Sequence, residues 1–408
     1  MKERHALSRL ACGLAAALTA TLVPLGAGLT GTAAASPCGN VGNNSSFGSL
    51  DLSFLGQHGS PMGPQKAAPA FDNGTSKVMS WVTGPRSLNK TYTRFGISGT
   101  DLGVAWDNGR GQTLLAFGDT FGNCRAGGQW RSNTVLRSSD RNPADGLRLD
   151  GSGFAGEKIG ALRFHGLEQT IVPTSGISIG GKQYMNVMSV RYWGAPGHWD
   201  TNYSGIAVSG DNGRSWRTVP STFRVNAGVT VPIGENQPTV VANNSRFQQN
   251  AYVRGVGADA GWIFQYGTPS GRQGATYLSR FRPGDILNLD KYEYWTGRGW
   301  TRDLNAMPNA PVVRPPGSEM SVAYSPYLRK YVMLHTIRGV VLRTASRPQG
   351  PWSRPRSIVP AGTAEIYGPM MLPNSPALTG AGPELYYNGS RWKDYNVLLM
   401  RTRLKPHW

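Results

Sequence analysis

Short strand-like runs separated by turns recur along almost the whole chain, in clusters of about four. Glycine (54 residues) and proline (28 residues) are abundant, and after the N-terminal segment no window of about 12 residues has the apolar period of an amphipathic helix. Four strands are the content of one β-propeller blade. An all-β chain is therefore predicted, with strands at 102–106, 113–118, 133–138, 184–191, 204–209, 238–242, 250–254, 261–266, 275–281, 319–324, 330–336, 339–344, 384–388 and 395–401.

One local motif favours a propeller. Ser209-Gly-Asp-Asn-Gly-Arg-Ser-Trp216 follows a predicted strand and matches the Asp-box, S-x-D-x-G-x-[ST]-W, a hairpin turn found in many propellers. The aspartate and serine fix such a turn, and the tryptophan packs between strands. Asp211 is accordingly predicted to be architectural.

The chain length favours a five-bladed β-propeller with a short N-terminal extension. Residues 36–92 form the predicted extension, which helps to close the ring, and residues 93–408 the propeller catalytic domain. A β-sandwich remains the structural alternative. It explains the strands, but neither the Asp-box nor the spacing of the clusters. The predicted blades are 93–150, 160–225, 232–300, 316–360 and 363–403.

The N-terminus has the composition of a secretory signal peptide over residues 1–35. Basic residues precede an apolar stretch from Leu10 to Leu29, and Ala33-Ala34-Ala35 supplies small residues for cleavage. No later segment approaches the ~18 apolar residues of a membrane helix. We expect a secreted, monomeric protein without membrane insertion.

The strong positive charge favours anionic partners such as cell-envelope polymers. The formal net charge of +19 becomes +17 when the signal, with three basic residues and one acidic residue, is removed. The excess is arginine spread along the chain rather than a basic tail or helix. Nucleic acid is therefore not the expected ligand.

Two cysteines, Cys38 and Cys124, remain after signal cleavage. An even pair in an exported protein favours a disulfide that pins the N-terminal segment to the first sheet, with two free thiols as the alternative. No Cys-x-x-Cys or clustered histidine pattern predicts a metal site. No cofactor is expected, although the sequence leaves open a structural calcium or sodium ion in the central channel.

Two aspartates interrupt strand-like apolar runs. Asp101 lies in Gly-Thr-Asp-Leu-Gly-Val-Ala-Trp at 99–106, and Asp119 in Leu-Leu-Ala-Phe-Gly-Asp-Thr-Phe at 114–121. A carboxylate in such a run loses hydration, so it must be paired, hydrogen-bonded or shifted in pKa. The functional interpretation is a catalytic pair; the structural alternative is a turn cap at Asp101 and a backbone hydrogen bond at Asp119.

Further polar and aromatic residues are candidates for binding substrate. Inner strands of a propeller face one channel, so carboxylates of different blades converge there, and flat aromatic faces can stack on sugar rings. For most of these residues an ordinary structural role is the alternative. The candidates are Glu168, Glu235, Glu319, Arg131, Asn133, His165, Trp193 and Tyr367.

A carboxylate pair in a propeller channel suits glycoside hydrolysis. That reaction needs one carboxylic acid to protonate the leaving oxygen and one carboxylate to activate water or to attack the sugar. A non-catalytic glycan-binding propeller is the main alternative. A sialidase is disfavoured because the chain has no Arg-Ile-Pro signature before the first blade and no convincing Tyr-Glu pair.

The order of several motifs resembles a known family. The chain is similar to the exported actinobacterial domain-of-unknown-function 4185 family, which is associated with endo-D-arabinanases (glycoside hydrolase family 183). The resemblance spans nearly the whole mature chain. It is carried by the two aspartate segments above and by Trp-Arg-Ser-Asn at 130–133, Gly-Ser-Glu-Met-Ser-Val-Ala-Tyr at 317–324, Gly-Pro-Trp-Ser at 350–353 and Ser-Arg-Trp-Lys-Asp-Tyr-Asn-Val at 390–397.

The resemblance implies a function as well as a fold. It implies a five-bladed propeller that cleaves internal α-D-arabinofuranosyl linkages in mycobacterial arabinogalactan and lipoarabinomannan, so cell-wall arabinan is the expected partner. Its catalytic pair maps onto Asp101 and Asp119. Analogy with other five-bladed arabinanases makes Asp101 the general base and Asp119 the general acid, with inversion.

Overall fold

The computed structural model describes residues 65–124, 128–226 and 241–408. Its strands are β1 (Ser76–Trp81), β2 (Leu102–Asp107), β3 (Thr113–Phe117), β4 (Thr134–Ser138), β5 (Thr170–Ile179), β6 (Lys182–Trp193), β7 (Trp199–Ser209), β8 (Arg217–Val225), β9 (Gln249–Arg254), β10 (Ile263–Thr268), β11 (Gly274–Phe281), β12 (Glu293–Trp295), β13 (Trp300–Thr301), β14 (Val313–Gly317), β15 (Met320–Ser325), β16 (Lys330–Thr336), β17 (Gly339–Ala345), β18 (Arg356–Pro360), β19 (Ile366–Met371), β20 (Glu384–Arg391) and β21 (Asn396–Arg403).

Helical structure in the described residues is short. Two α-helices, α1 (Thr91–Phe95) and α2 (Pro376–Thr379), occupy connections. Neither is long or apolar enough to cross a membrane. The remaining helical turns are of the 3₁₀ type, at Pro143–Asp145, Ala242–Phe247, Gly257–Asp259, Pro283–Asp285 and Leu289–Lys291.

The strands pair into five antiparallel sheets. Their orders are β2-β3-β4, β5-β6-β7-β8, β9-β10-β11-β12-β13 with β14 also on β11, β15-β16-β17-β18, and β19-β20-β21-β1. The first strands of successive sheets contact one another in a closed cycle: β2 with β5, β5 with β9, β9 with β15, β15 with β19 and β19 with β2. Five sheets around one axis confirm the predicted five-bladed β-propeller.

The ring is closed by strands from the two ends of the described chain. β1 pairs antiparallel with β21, and the Ser76 and Thr402 hydroxyls hydrogen-bond at 2.7 Å. β1 belongs to the stretch predicted as the N-terminal extension. The last blade therefore takes its outermost strand from the start of the propeller and its three others from the end.

Apolar side chains fill the spaces between neighbouring sheets. All five residues of β3 are buried, because this middle strand is covered on both faces. Leu114 and Ala116 pack towards the second blade with Met185 and Val187, whereas Leu115 and Phe117 belong to a separate cluster. The alternation follows from the two-residue repeat of a strand.

The Asp-box forms the turn between β7 and β8. The Asp211 carboxylate accepts hydrogen bonds from the Ser209 hydroxyl at 2.7 Å, the Ser215 hydroxyl at 2.6 Å and the Ser215 backbone N–H at 2.9 Å. These bonds hold the pKa of Asp211 well below its usual value. Trp216 packs edge-on against Trp106 of the first blade, at 6.2 Å between ring centroids.

We expect Asp211→Ala to destabilise the protein by about 1 kcal/mol, because several donors of the turn lose their acceptor. The free energy of unfolding is to be measured by urea denaturation at neutral pH. Asp290→Ala is the matched control, since Asp290 is exposed and its carboxylate accepts no hydrogen bond from the described residues. Equal stability of both variants would contradict an architectural role for the Asp-box.

Candidate active site

The inner strands place their first residues around one mouth of the channel and their last residues around the other. Residues at or just before the starts of β2, β9, β15 and β19 line one cavity, which we call the carboxylate cavity: Asp101, Gln249, Glu319 and Tyr367. Residues towards the strand ends line a second cavity of about 420 Å³. All inner strands thus run in the same direction.

Asp101 lies on a constrained backbone. Leu102, the next residue, has a φ of 65°, which is uncommon for a side chain of this size. Its backbone N–H donates to the Ser390 hydroxyl of the last blade at 2.7 Å. A Cβ atom at Gly118 would lie 2.4 Å from Asp101 Oδ1, so glycine at 118 is what lets β3 pass the carboxylate.

The surroundings of Asp101 favour its protonated form. Oδ2 accepts a hydrogen bond from the Tyr367 hydroxyl at 2.8 Å. Oδ1 is shielded from solvent, and the Tyr395 hydroxyl also interacts with the carboxylate. Burial of the carboxylate, reinforced by the charge of Asp119, raises the pKa of Asp101 to about 8.

Asp119 is less exposed than Asp101, and two side chains donate hydrogen bonds to it. It is 5 % exposed. Oδ1 accepts hydrogen bonds from Trp130 Nε1 at 2.7 Å and from the Thr170 hydroxyl at 2.6 Å. Burial raises the pKa of Asp119 to about 6, and the bonds from Thr170 and Trp130 limit that rise. Two aspartates in one cavity therefore differ in proton affinity.

An ion pair between the third and fourth blades forms another part of the cavity. Arg272, in the β10–β11 turn, donates from Nε to Glu319 Oε2 at 3.0 Å and from Nη2 to Oε1. This two-point geometry fixes both planar groups. Glu319 immediately precedes β15, as Asp101 precedes β2.

Aromatic rings surround the Arg272 guanidinium. It lies 4.9 Å from the ring centroid of Trp392, 5.2 Å from that of Tyr367 and 5.5 Å from that of Trp199. Tyr367 and Trp392 stack at 3.7 Å, and Trp193 lies 5.5 Å from Trp199. These contacts favour a desolvated cation and leave an aromatic wall beside the carboxylates.

The predicted site residues fall into three groups. Asp101, Asp119, Glu319, Trp193 and Tyr367 line the carboxylate cavity together, although they come from four different blades. Their convergence is what the propeller geometry predicts for residues at inner-strand ends.

The second group holds structure around the cavity instead of lining it. Arg131 donates to the carbonyls of Ala155 and Gly96, and Asn133 bonds the carbonyls of Ile159 and Ile171. Glu168 is 3 % exposed and anchors a loop. His165 is exposed on that loop.

The third group lies outside the described residues and contains Glu235 and Cys38. Cys124 is buried, at 5 % exposure, and the disulfide stays a prediction. Within residues 65–124, 128–226 and 241–408 no three His, Cys, Asp or Glu side chains cluster closely enough to hold a metal ion.

Sequence reasoning missed Arg272, Thr170 and the pair Gln249 and Asn250, which also line or support the cavity. Arg272 stands in the polar turn Pro-Ser-Gly-Arg-Gln-Gly, where an arginine is ordinary. No local sequence signal identifies Arg272 as a site residue. Its role becomes visible only in the folded chain, where Glu319 and the aromatic rings lie next to it.

Fold and site together define a five-bladed propeller with a carboxylate-lined, aromatic-walled cavity at one mouth of its channel. The chain belongs to the family described as "Domain of unknown function (DUF4185)", whose model matches residues 86–401. This confirms the family resemblance seen in the sequence.

The chain is similar to two curated proteins in sequence and to a solved structure in fold. Notoamide biosynthesis cluster protein J of Aspergillus sp. (strain MF297-2) is 26 % identical over 76 % of this chain and 84 % of its own. Protein J' of Aspergillus versicolor is 28 % identical over 73 % and 82 %. The crystal structure of a Bacteroides ovatus protein described as a "putative hydrolase" has a TM-score of 0.51 at 13 % identity, covering 88 % of this chain and 97 % of that one. The structural likeness concerns the fold alone.

Asp101→Asn should make the folded protein more stable than the wild type at neutral and alkaline pH. Because the pKa of Asp101 is raised from 3.8 to about 8, the folded chain keeps a proton that the unfolded chain releases between these values. Wild-type stability therefore falls as pH rises through this window, by up to about 1.4 kcal/mol per pH unit. Asparagine keeps the acceptor for Tyr367 without titrating.

The measurement is urea denaturation of both proteins from pH 4 to 8. The difference in free energy of unfolding should widen across the window. Asp290→Asn serves as the control and should show no such trend. A difference that is constant with pH would contradict the raised pKa of Asp101.

Proposed function

We propose that the protein is a glycoside hydrolase that cleaves internal α-D-arabinofuranosyl linkages of mycobacterial-type arabinan. The observation that carries the proposal is that Asp101 and Asp119 line one aromatic-walled cavity. Burial raises the pKa of Asp101 to about 8 and that of Asp119 to about 6. A pair of carboxyl groups with separated proton affinities is what acid–base hydrolysis of a glycosidic bond requires.

The different environments of the two aspartates support a different role for each. Asp101 carries the proton at neutral pH and is the general acid that protonates the leaving oxygen. Asp119, ionised and held by Trp130 and Thr170, is the general base that takes a proton from the attacking water. This assignment reverses the one that analogy with other arabinanases implies. It rests on the pKa of Asp101, about 8, being higher than the pKa of Asp119, about 6.

The remaining cavity residues position the sugar. Glu319, fixed by Arg272, presents carboxylate edges to furanose hydroxyls, and Trp193 and Trp392 offer flat apolar surfaces. Hydrogen bonds orient a sugar, and aromatic faces pack against its C–H groups. In this role Glu319 and the two tryptophans do not exchange a proton with the substrate.

The choice of arabinan rests on the family resemblance and on charge. The net charge of +17 that remains after removal of residues 1–35 favours binding to anionic polymers of a cell envelope. We extend the proposal to secretion after removal of residues 1–35, a Cys38–Cys124 disulfide and action as a monomer. The proposal does not require a structural calcium or sodium ion in the channel, and it is compatible with one.

Asp101→Asn and Asp119→Asn should each lower arabinan cleavage at least about 100-fold, because each removes one proton-transfer group. Products are followed by chromatography of oligosaccharides released from arabinogalactan. Azide should restore turnover to Asp119→Asn by replacing the activated water. A nitrophenyl leaving group, which needs no proton, should restore it to Asp101→Asn.

The opposite rescue pattern would reverse the roles of the two aspartates, and full activity of both variants would overturn the proposal. If wild type releases no product but is retained on the insoluble polymer, the protein is a wall-binding propeller. Asp290→Asn is the control variant for these assays.

The pH dependence of kcat/KM should be bell-shaped, with limbs near pH 6 and pH 8. Activity rises as Asp119 loses its proton and falls as Asp101 loses its own, since kcat/KM reports groups of the free enzyme. Initial rates on arabinogalactan from pH 4 to 10 test this. Activity that continues to rise above pH 9 would exclude Asp101 as the acid.

A further inference from the structure

Four large apolar side chains stand exposed together on the second blade. We call Leu162, Phe164, Leu167 and Tyr192 the apolar rim. They are 45 %, 64 %, 44 % and 43 % exposed. In the described chain only Leu88 and Phe154 are other large apolar residues of this kind. Clustered exposed apolar residues usually mark a binding surface.

Hydrogen bonds to buried side chains of the second blade hold the loop that carries Leu162, Phe164 and Leu167. The buried Glu168 carboxylate accepts hydrogen bonds from the Leu162 N–H at 3.1 Å and from the Ser189 hydroxyl. Phe164 and Glu168 exchange two backbone hydrogen bonds, at 2.9 and 3.0 Å. Asn202 donates to the Leu167 carbonyl at 2.6 Å. A carboxylate is costly to bury, and here its bonds fix an exposed loop.

Side-chain contacts connect the rim to a residue of the carboxylate cavity. The His165 ring packs edge-on against Tyr192 at 5.8 Å and its Nδ1 hydrogen-bonds Gln169 Nε2 at 2.8 Å. Gln169 in turn accepts from the Trp193 N–H at 3.1 Å, and Trp193 lines the cavity.

A second connection runs through Arg163. Its guanidinium lies 5.5 Å from the centroid of the Trp130 ring, and Trp130 donates to Asp119. The loop therefore borders the site at two points.

We propose that the apolar rim binds the sugar residues of the polymer that neighbour the one being cleaved. This inference rests on the proposed function and adds a subsite to it. The C–H faces of furanose rings pack on Phe164, Leu167 and Tyr192, while hydroxyl groups remain in water. A rigid, preformed surface binds a flexible chain with less loss of entropy.

A second copy of this chain is a poorer occupant. Stable protein–protein interfaces bury at least about 1,200 Å², more than four side chains supply. Two copies that each carry a net charge of +17 after removal of residues 1–35 also repel one another. A neutral glycan has no such penalty.

The test compares long and short substrates. The double variant Phe164→Ala/Leu167→Ala should lose about tenfold in kcat/KM on arabinogalactan, equivalent to ~1.4 kcal/mol of binding. It should change less than about twofold on the shortest arabino-oligosaccharide cleaved, which cannot reach the rim. Leu88→Ala, at an equally exposed leucine (51 %) outside the rim, should change neither.

Equal losses on both substrates, or no loss, would overturn the subsite. The subsite would also be overturned by a different combination of results. In that case light scattering would show a dimeric wild type and a monomeric double variant, and the double variant would lose no more activity on the polymer than on the short substrate. If the wild type cleaves no arabinan, the proposed function fails separately. Binding of the polymer by the rim is then tested by retention on insoluble arabinogalactan. The double variant should bind about tenfold more weakly than Leu88→Ala, and equal binding would overturn the inference.

Discussion

Packing five twisted sheets around one axis is the constraint on which the site depends. The ring brings the starts of its inner strands to one mouth, so Asp101, Glu319 and Tyr367 meet although more than 200 residues separate the first from the others. Their positions are set by backbone ladders, which are stiffer than loops. The Arg272–Glu319 pair joins two adjacent blades at this mouth, and the ring of Trp392 adds a third.

The local supply of donors separates two chemically identical residues. Both aspartates lose hydration, which favours the neutral form. Asp119 recovers part of that loss from Trp130 and Thr170, whereas Asp101 has the Tyr367 hydroxyl as donor and the charge of Asp119 beside it, which disfavours its ionised form. The difference lies in one strand and one loop of neighbouring sheets. Two aspartates in one cavity can therefore differ in pKa without any unusual residue, because their surroundings differ.

The sequence predicted the overall fold more accurately than it predicted the individual strands. The Asp-box and the clustered apolar runs identified a propeller, but β5 and β19 were missed because Pro173 and Pro369 interrupt their patterns. An inner strand has one edge facing the channel, where a missing N–H is tolerated. Carboxylates in apolar runs identified Asp101, Asp119 and Glu319. Arg131 and Asn133 instead bind backbone carbonyls, and no local pattern distinguishes that use.

Ring closure by β1 also has a consequence for the time at which the molecule can fold. β1 is made early, but its partner β21 ends at Arg403, so the last blade cannot be complete until nearly the whole chain has been synthesised. At ~5–20 residues per second, β1 waits for tens of seconds with an unpaired edge. Such an edge invites association with other chains. The nascent protein should thus depend on chaperones more than a chain whose ends lie in separate units.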